Sequence, residues 1–238
     1  MKILASDSLL IIIQARINSQ RLPGKVLYEI KGKSALQHLI ESLLNCCSRN
    51  QIVVATSLLD LDNPIVEFCS RHYVKCFRGP LENVAERFLE VIKFYKPEVF
   101  VRISADSPLF DYRILEHGFS LWKEELDLLT TVGSGQPSGM NAEFVKSNTF
   151  CSTYNQFTVS NHFEHVTPYF YENAERFKIE RLESAFSSSE KLKFSLDNHE
   201  DLKLIERIFE QMQRPHYTYT LEEKAELLRM AREVEPGR

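Results

Sequence analysis

A mixed α/β fold built on a doubly wound, mostly parallel sheet is predicted by three features of the sequence. Apolar, branched runs recur at residues 9–13, 51–55 and 99–103, as expected of parallel strands buried on both faces. Segments with apolar residues at helical spacing separate them, which is the alternation of a doubly wound sheet. Each run also ends in a polar stretch, and in such sheets ligands collect beyond the carboxyl ends of the strands.

The elements follow in order. The strand at 9–13 leads into a long polar loop at 14–25. Ser34 then starts a helix, with Gln37 completing a capping box; Leu36, Leu39, Ile40, Leu43 and Leu44 give it one apolar face. The strand at 51–55 ends in Thr56-Ser57. Asn63 and Pro64 read as the cap and first turn of a helix reaching about His72. A short strand at 74–77, an amphipathic helix at 82–95 and a buried strand at 99–103 come next, the last ending at Ser104-Ala105-Asp106-Ser107-Pro108.

From about residue 134 to 190 the pattern loosens, with Gly135, Pro137 and Gly139 close together among polar and aromatic residues. This reads as an irregular insertion or arm, a candidate subunit interface, on a single domain spanning 1–238. Order returns with a strand at 192–196 ending at Asp197. Asn198 caps a helix whose buried face is Leu202, Ile205, Ile208, Phe209 and Met212, and Thr220 with Glu223 opens the last helix through a capping box. Neither an internal repeat nor a low-complexity segment interrupts this order.

Composition limits the function. The chain has 238 residues, 43% hydrophobic and 26% charged, which suits a soluble protein with a sizeable core. A net charge of -4 argues against nucleic-acid binding through general electrostatics. The odd set of cysteines, Cys46, Cys47, Cys69, Cys76 and Cys151, lacks the spacing of a zinc knuckle and reads as reduced, mostly buried thiols. Asp7 interrupts the first apolar stretch, which is too short for a signal-peptide core or a membrane span. A cytoplasmic protein with no membrane partner is therefore expected.

The rim selected by the strand ends carries the candidate chemistry: residues 14–25, Thr56-Ser57 and residues 104–108. Arg16, Arg21 and Lys25 are interleaved with turn residues directly after the first strand. Arginines there can bind phosphate oxygens in forked geometry, Lys25 adds a mobile point charge, and Ser19 adds a hydroxyl. On spacing alone, a phosphate loop and an ordinary polar surface loop are equally consistent with these residues. Asp106, a carboxylate at a strand end, is equally read as a hard ligand for Mg²⁺ or as a turn cap before Pro108.

Residues 15–25 match, at every defined position, the A-R-x-x-S-x-R-x-P-x-K loop of the sugar-acid cytidylyltransferases. The order continues through Val53-Val54-Ala55-Thr56-Ser57. Arg78-Gly79, Val84 and Arg87-Phe88 match R-G-x-x-x-x-V-x-x-R-F. Arg102-Ile103-Ser104-Ala105-Asp106-Ser107-Pro108-Leu109 is similar to R-I-T-x-D-C-P-L. Gly139, Glu143-Phe144, Glu164-His165-Val166-Thr167-Pro168-Tyr169 and Leu196-Asp197-Asn198-His199-Glu200-Asp201-Leu202 follow in sequence. So many motifs in order are a strong signal. The chain resembles this family, and within it the spore-coat polysaccharide biosynthesis branch.

The resemblance implies a fold of nucleotide-diphospho-sugar transferase type, CTP and a sugar acceptor as substrates, and Mg²⁺ as cofactor. It carries the metal aspartates onto Asp106 and Asp197, with Asp201 better suited to capping. It assigns the nucleotide to Ala15, Arg16, Ser19, Arg21, Lys25, Thr56, Ser57 and Ser104, and catalysis to Arg16, Lys25 and Asp106. Arg78, Glu143, Glu164 and His165 are its sugar-binding candidates, although Glu164-His165 reads equally as a partner contact or a structural turn before Pro168. A homodimer joined through the arm is implied too. Departures are Ser104 for Thr, Ser107 for Cys and, more consequentially, Asn141 for the usual Asp, which bears on the acceptor. A glycosyltransferase using a nucleotide-sugar donor is the nearest rival, but Asp106 is followed by Ser107-Pro108 rather than completing a D-x-D. A non-catalytic nucleotide-binding protein is the other rival.

Overall fold

The computed structural model describes residues 8–184 and 190–233; Asp7 and residues 185–189 of the expected arm lie outside that range. In chain order the elements are β1 (Leu9–Gln14), the short pair β2 (Glu29–Ile30) and β3 (Lys33–Ser34), α1 (Ala35–Leu43), β4 (Ile52–Ser57), α2 (Asn63–Arg71), β5 (Lys75–Gly79), α3 (Val84–Tyr95) and β6 (Val99–Ser104). Then come α4 (Arg113–Leu121), β7 (Leu128–Thr130), β8 (Glu143–Lys146), α5 (Ser147–Thr153), α6 (Ser160–His165), α7 (Pro168–Glu172), β9 (Ile179–Arg181), α8 (His199–Gln211) and α9 (Leu221–Glu233).

Among the described residues seven strands form one sheet in the order β5-β4-β1-β6-β8-β7-β9. The β5-β4-β1-β6 half is parallel, β8 runs antiparallel to both neighbours, and β9 pairs parallel with β7. The expected mixed α/β, mostly parallel sheet is thus what the chain forms. Strand alternation sorts its core into two layers. Ile11, Ile13, Val54, Val101 and Ile103 face α1, α8 and α9. Leu10, Ile12, Val53 and Phe100 pack with Phe88 of α3 and Phe150 of α5 on the other side. Each fully buried side chain of this size contributes about 1.5–3 kcal/mol. The register matters for function, because Gln14 pairs with Ala55 on one side and Ser104 on the other. β1 and β6 therefore end level, and β4 runs on two residues to Ser57 on the same rim.

Several local expectations are refined. Ser34 caps α1 through the Gln37 N–H at 3.1 Å, but the Gln37 side chain reaches Glu41 instead of closing a box. Asp62, not Asn63, precedes α2, and its carboxylate serves elsewhere. Residues 192–196 make no ladder: they run extended, and their backbone-to-backbone links are one bridge between Lys193 and Ser138 and a Leu196 N–H to Asp106 carbonyl bond of 2.8 Å. Of the expected arm, residues 134–184 place β8 and β9 in the central sheet, with the short helices α5, α6 and α7 between them.

The close approach of residues 137–141 to 193–196 depends on Gly139. Its φ is 88°, and a Cβ there would lie 2.6 Å from the Phe194 carbonyl carbon and 2.7 Å from the Ser195 nitrogen. Neither contact can be relieved by rotating a side chain. Gly139→Ala is expected to destabilise the protein by about 1–3 kcal/mol or more through backbone strain and clash, read as a lowered urea midpoint. An unchanged midpoint would show that this crossing is looser than described.

Candidate active site

The loop after β1 is folded by its own backbone and by one buried carboxylate. The Ser19 and Gly24 N–H groups both donate to the Ile17 carbonyl, at 2.7 and 2.9 Å, which closes the loop on itself. Gly24 has φ 75°, so the chain turns there into Lys25 without a Cβ penalty. Asp62 then pins the loop to the strand beside it: it accepts from Ile17 N–H at 2.7 Å, Thr56 Oγ1 at 2.9 Å and Ser57 N–H at 3.0 Å. Burial alone would raise the Asp62 pKa, but these hydrogen bonds outweigh it and hold the carboxyl below its ordinary value.

Lys25 is the hub of the site. Its ammonium donates to Asp106 Oδ2 at 2.5 Å, to the Leu196 carbonyl at 2.6 Å and to Asp197 Oδ1 at 3.1 Å. Arg21 reaches the same Asp197 oxygen at 3.3 Å, and Lys193 holds the other at 3.0 Å. Burial opposes ionisation of Asp197, yet Lys193 and Lys25 win and lower its pKa. Asp201 accepts from the Asp197 and Asn198 N–H groups and closes the capping box of α8, which holds Asp197 in place. Asp106 and Asp197 thus offer oxygens to one point, now filled by a cation. Two hard carboxylate donors around a shared locus fit Mg²⁺, which takes one or two carboxylates and completes its shell with water and phosphate.

Two cavities meet at these carboxylates. A cleft of about 610 Å³ is lined by the loop, with Ala15, Arg16, Ser19, Arg21 and Lys25, and by Glu164 and His165 opposite. A smaller recess of about 250 Å³ runs past Arg102, Ser138, Asn141 and Glu143. Gln14, Ser104, Asp106 and Asp197 line both. In the recess, Arg102 is tied to Glu143 at 2.5 Å and to Gln14 at 3.0 Å, while Thr167 and Tyr171 donate to the other Glu143 oxygen. Glu164 and His165 reach the cleft because the next residue, Val166, turns sharply with φ 73°, a conformation a β-branched residue adopts only under constraint. Glu164 stands 3.8 Å from Arg16.

A residue that the motif contained but that was not singled out proves central to the cleft. Arg87, on α3, is 1% exposed and lines the cleft, and its Nε and Nη1 have no hydrogen-bond partner among the described residues. Burial lowers its pKa to about 10, so it stays charged at neutral pH. A buried guanidinium without an acceptor is costly unless an anion arrives. Gly79 makes room for it, since a Cβ there would lie 2.9 Å from Arg87 Cγ. The sequence signal was present: Arg87 stands in the apolar stripe of Val84, Phe88 and Val91, where a charge is anomalous.

Some expected residues lie elsewhere. Thr56 and Ser57 are wholly buried and do not line the cleft; they hold Asp62, and through it the loop. Arg78 lines neither cavity. Its guanidinium is used on the Ser57 carbonyl, the Asn63 side chain and the Leu59 carbonyl at 2.8–2.9 Å, bracing the turn after β4. The remaining candidates, Ala15, Arg16, Ser19, Arg21, Lys25, Ser104, Asp106, Glu143, Glu164, His165 and Asp197, are brought together around the two cavities.

Comparison with known proteins identifies the family and the fold. A family model described as Cytidylyltransferase matches residues 10–226. The spore coat polysaccharide biosynthesis protein SpsF of Bacillus subtilis is 27% identical over 210 residues, covering 86% of this chain and 87% of that protein. Among solved structures, a cytidylyltransferase from Leptospira borgpetersenii gives a TM-score of 0.85 at 24% identity, with 94% of each chain covered. A CMP:2-keto-3-deoxy-manno-octonic acid synthetase complexed with CTP gives 0.63 at 19% identity, with 86% of this chain and 99% of that one covered. These two likenesses show a shared fold.

The role given to Asp62 is testable through pH. Its folded pKa lies below the ordinary carboxylate value of 3.8, so its stabilisation is complete above that value and is lost as pH falls through the folded pKa. Asp62→Ala is expected to cost about 1–3 kcal/mol at neutral pH, the penalty for leaving buried donors unpaired. The gap between the wild type and the variant in urea unfolding should narrow as pH drops below that range. A gap that stays constant down to strong acid would contradict the ionised, hydrogen-bonded Asp62.

Proposed function

The chain belongs to the cytidylyltransferase family, and from that premise we propose that it is one of the sugar-acid members, transferring CMP from CTP to a sugar acid with release of pyrophosphate, in polysaccharide or glycoconjugate synthesis. The observation that carries this reading is the junction of two cavities at Asp106 and Asp197. One cavity has the cations for a triphosphate, and the other has the polar lining for a sugar.

In this mechanism the anomeric hydroxyl of a sugar in the recess attacks the α-phosphate of CTP, in line with departing pyrophosphate. Asp106 and Asp197 would hold Mg²⁺, which when bound would neutralise charge on the phosphates. Arg16, Lys25 and the otherwise unpartnered Arg87 surround the developing charge on pyrophosphate, and Arg21 and Ser19 complete the loop's grip on the triphosphate. Glu143 fixes Arg102 in the recess wall, and Asn141 stands at its mouth as a neutral polar contact for the sugar. Glu164 and His165 line the nucleotide cleft across from Arg16 and not the recess, which supports a role beside the phosphates over the expected one on the sugar. A single-domain cytoplasmic homodimer, joined through part of residues 134–190, belongs to the same proposal.

The test offers CTP, UTP, GTP and ATP with Mg²⁺ and a panel of acidic and neutral sugars, with pyrophosphate release as readout. Release is expected with CTP and a sugar acid, and its loss on chelation of the metal. Lys25→Ala is expected to weaken CTP use far more than binding of the CMP-sugar product, which lacks the β- and γ-phosphates. No release with CTP and any sugar acid, or equal losses for CTP and product in the variant, would overturn the reading.

A further inference from the structure

A third cleft, of about 710 Å³, lies away from the nucleotide and acceptor cavities and shares no lining residue with them. It opens between α1 and the turn that follows α8. At its wall stand His38 and Glu41, one turn apart on α1, and His216 from that turn. Each of the three offers one ligand atom, and these atoms lie within 4.8 Å of one another. We propose that His38, Glu41 and His216 form a binding site for a first-row divalent cation of the zinc class, which clips α1 to the chain segment after α8.

The hydrogen bonds decide which imidazole nitrogens are available. His38 Nε2 lies 2.8 Å from the Ile30 carbonyl, which can only accept, so Nε2 carries the proton and Nδ1 bears a lone pair. His216 Nε2 in turn donates to the His38 carbonyl at 2.9 Å, which leaves its Nδ1 as the bare nitrogen too. His38 Nδ1 is buried and has no hydrogen-bond partner among the described residues. Metal-binding histidines show this arrangement: one ring nitrogen donates to a carbonyl, which fixes the tautomer, and the other is free to ligate.

Glu41 supplies the anionic donor. Its oxygens accept from Gln37 at 3.1 Å and Lys33 at 2.8 Å, each with lone-pair capacity remaining. Lys33 is 43% exposed and can leave for solvent when a cation takes its place. Two nitrogens and one carboxylate oxygen make a set suited to zinc-type ions, whose donors sit roughly 3–3.5 Å apart in a tetrahedron, and the open cleft leaves the fourth position to water. An ordinary pair of core histidines accounts for the two Nε2 bonds. It does not account for a buried, unpartnered Nδ1 on His38 in a group whose ligand atoms also include His216 and the Glu41 carboxylate. The chain between His38 and His216 spans 178 residues, so the cation would close a long loop and act on stability, not on catalysis.

The experiment uses the full-length protein, stripped of metal and then dialysed against Co²⁺ in excess Mg²⁺. The Mg²⁺ saturates the Asp106–Asp197 pair but competes poorly for nitrogen ligands. One Co²⁺ per chain with the visible absorption of a four-coordinate ion is expected, together with a raised melting temperature. Glu41→Gln should weaken cobalt binding by more than about tenfold while leaving the metal-free melting temperature unchanged. Imidazole ring signals of the wild type, followed by NMR, should shift on adding Zn²⁺, a readout that needs no variant to fold. No cobalt retained in excess Mg²⁺, equal affinity in Glu41→Gln, or ring signals unmoved by Zn²⁺ would each overturn the site.

Discussion

The Lys25 ammonium, held between Asp106, Asp197 and the Leu196 carbonyl, is the interaction on which the site depends. It joins three segments that are distant in the chain: the loop after β1, the end of β6 and the extended run before α8. The contacts span 81, 171 and 172 residues of sequence. The Lys25 side chain is 13% exposed and that of Asp106 is 17% exposed, so water screens the cluster only partly. Charges so placed stay only when each has a partner. Lys25, Arg21 and Lys193 supply the cations, and Asp106, Asp197 and Asp201 the anions.

The rest of the rim supports this hub by fixing its approach. Register places Gln14 level with Ala55 and Ser104, so the loop leaves the sheet beside Asp106. Asp62 gathers the loop, β4 and the turn before α2 on one carboxylate, and Arg78 ties that turn down from β5. On the other side Gly139 lets residues 137–141 lie against the backbone of Phe194 and Ser195, which shapes the recess up to Asp197. Arg87 is the exception to this saturated network, since a buried cation here keeps donors unspent.

Much of this was legible in the sequence, for identifiable reasons. The buried strands β1, β4 and β6 announced themselves because a parallel strand covered on both faces is apolar throughout. Loop residues Arg16, Arg21 and Lys25, with Asp106, were placed together because strand ends of an open sheet share a rim, whereas their roles, and Asp197 with them, came from the family resemblance. What could not be read is the direction of individual side chains. Thr56 and Ser57 sit at the expected strand end, yet they turn to Asp62, whose carboxylate was hidden behind the better-looking cap Asn63-Pro64. Arg78 satisfies carbonyls of a turn that only the folded chain creates. Residues 192–196 have a strand's apolar content but no neighbour with which to pair a full ladder. Arg87 could have been found as a charge in the apolar stripe of α3.

The central claim is that the carboxylates shared by cleft and recess serve the chemical step, while the cations of the loop hold the nucleotide. The most direct measurement is single-turnover pyrophosphate release by Asp106→Asn with saturating CTP, Mg²⁺ and acceptor, alongside CTP binding by calorimetry. The account predicts release slowed by at least about a hundredfold, the scale of losing one charge-stabilising group, with the fold intact and CTP still bound. Release at the wild-type rate would contradict it.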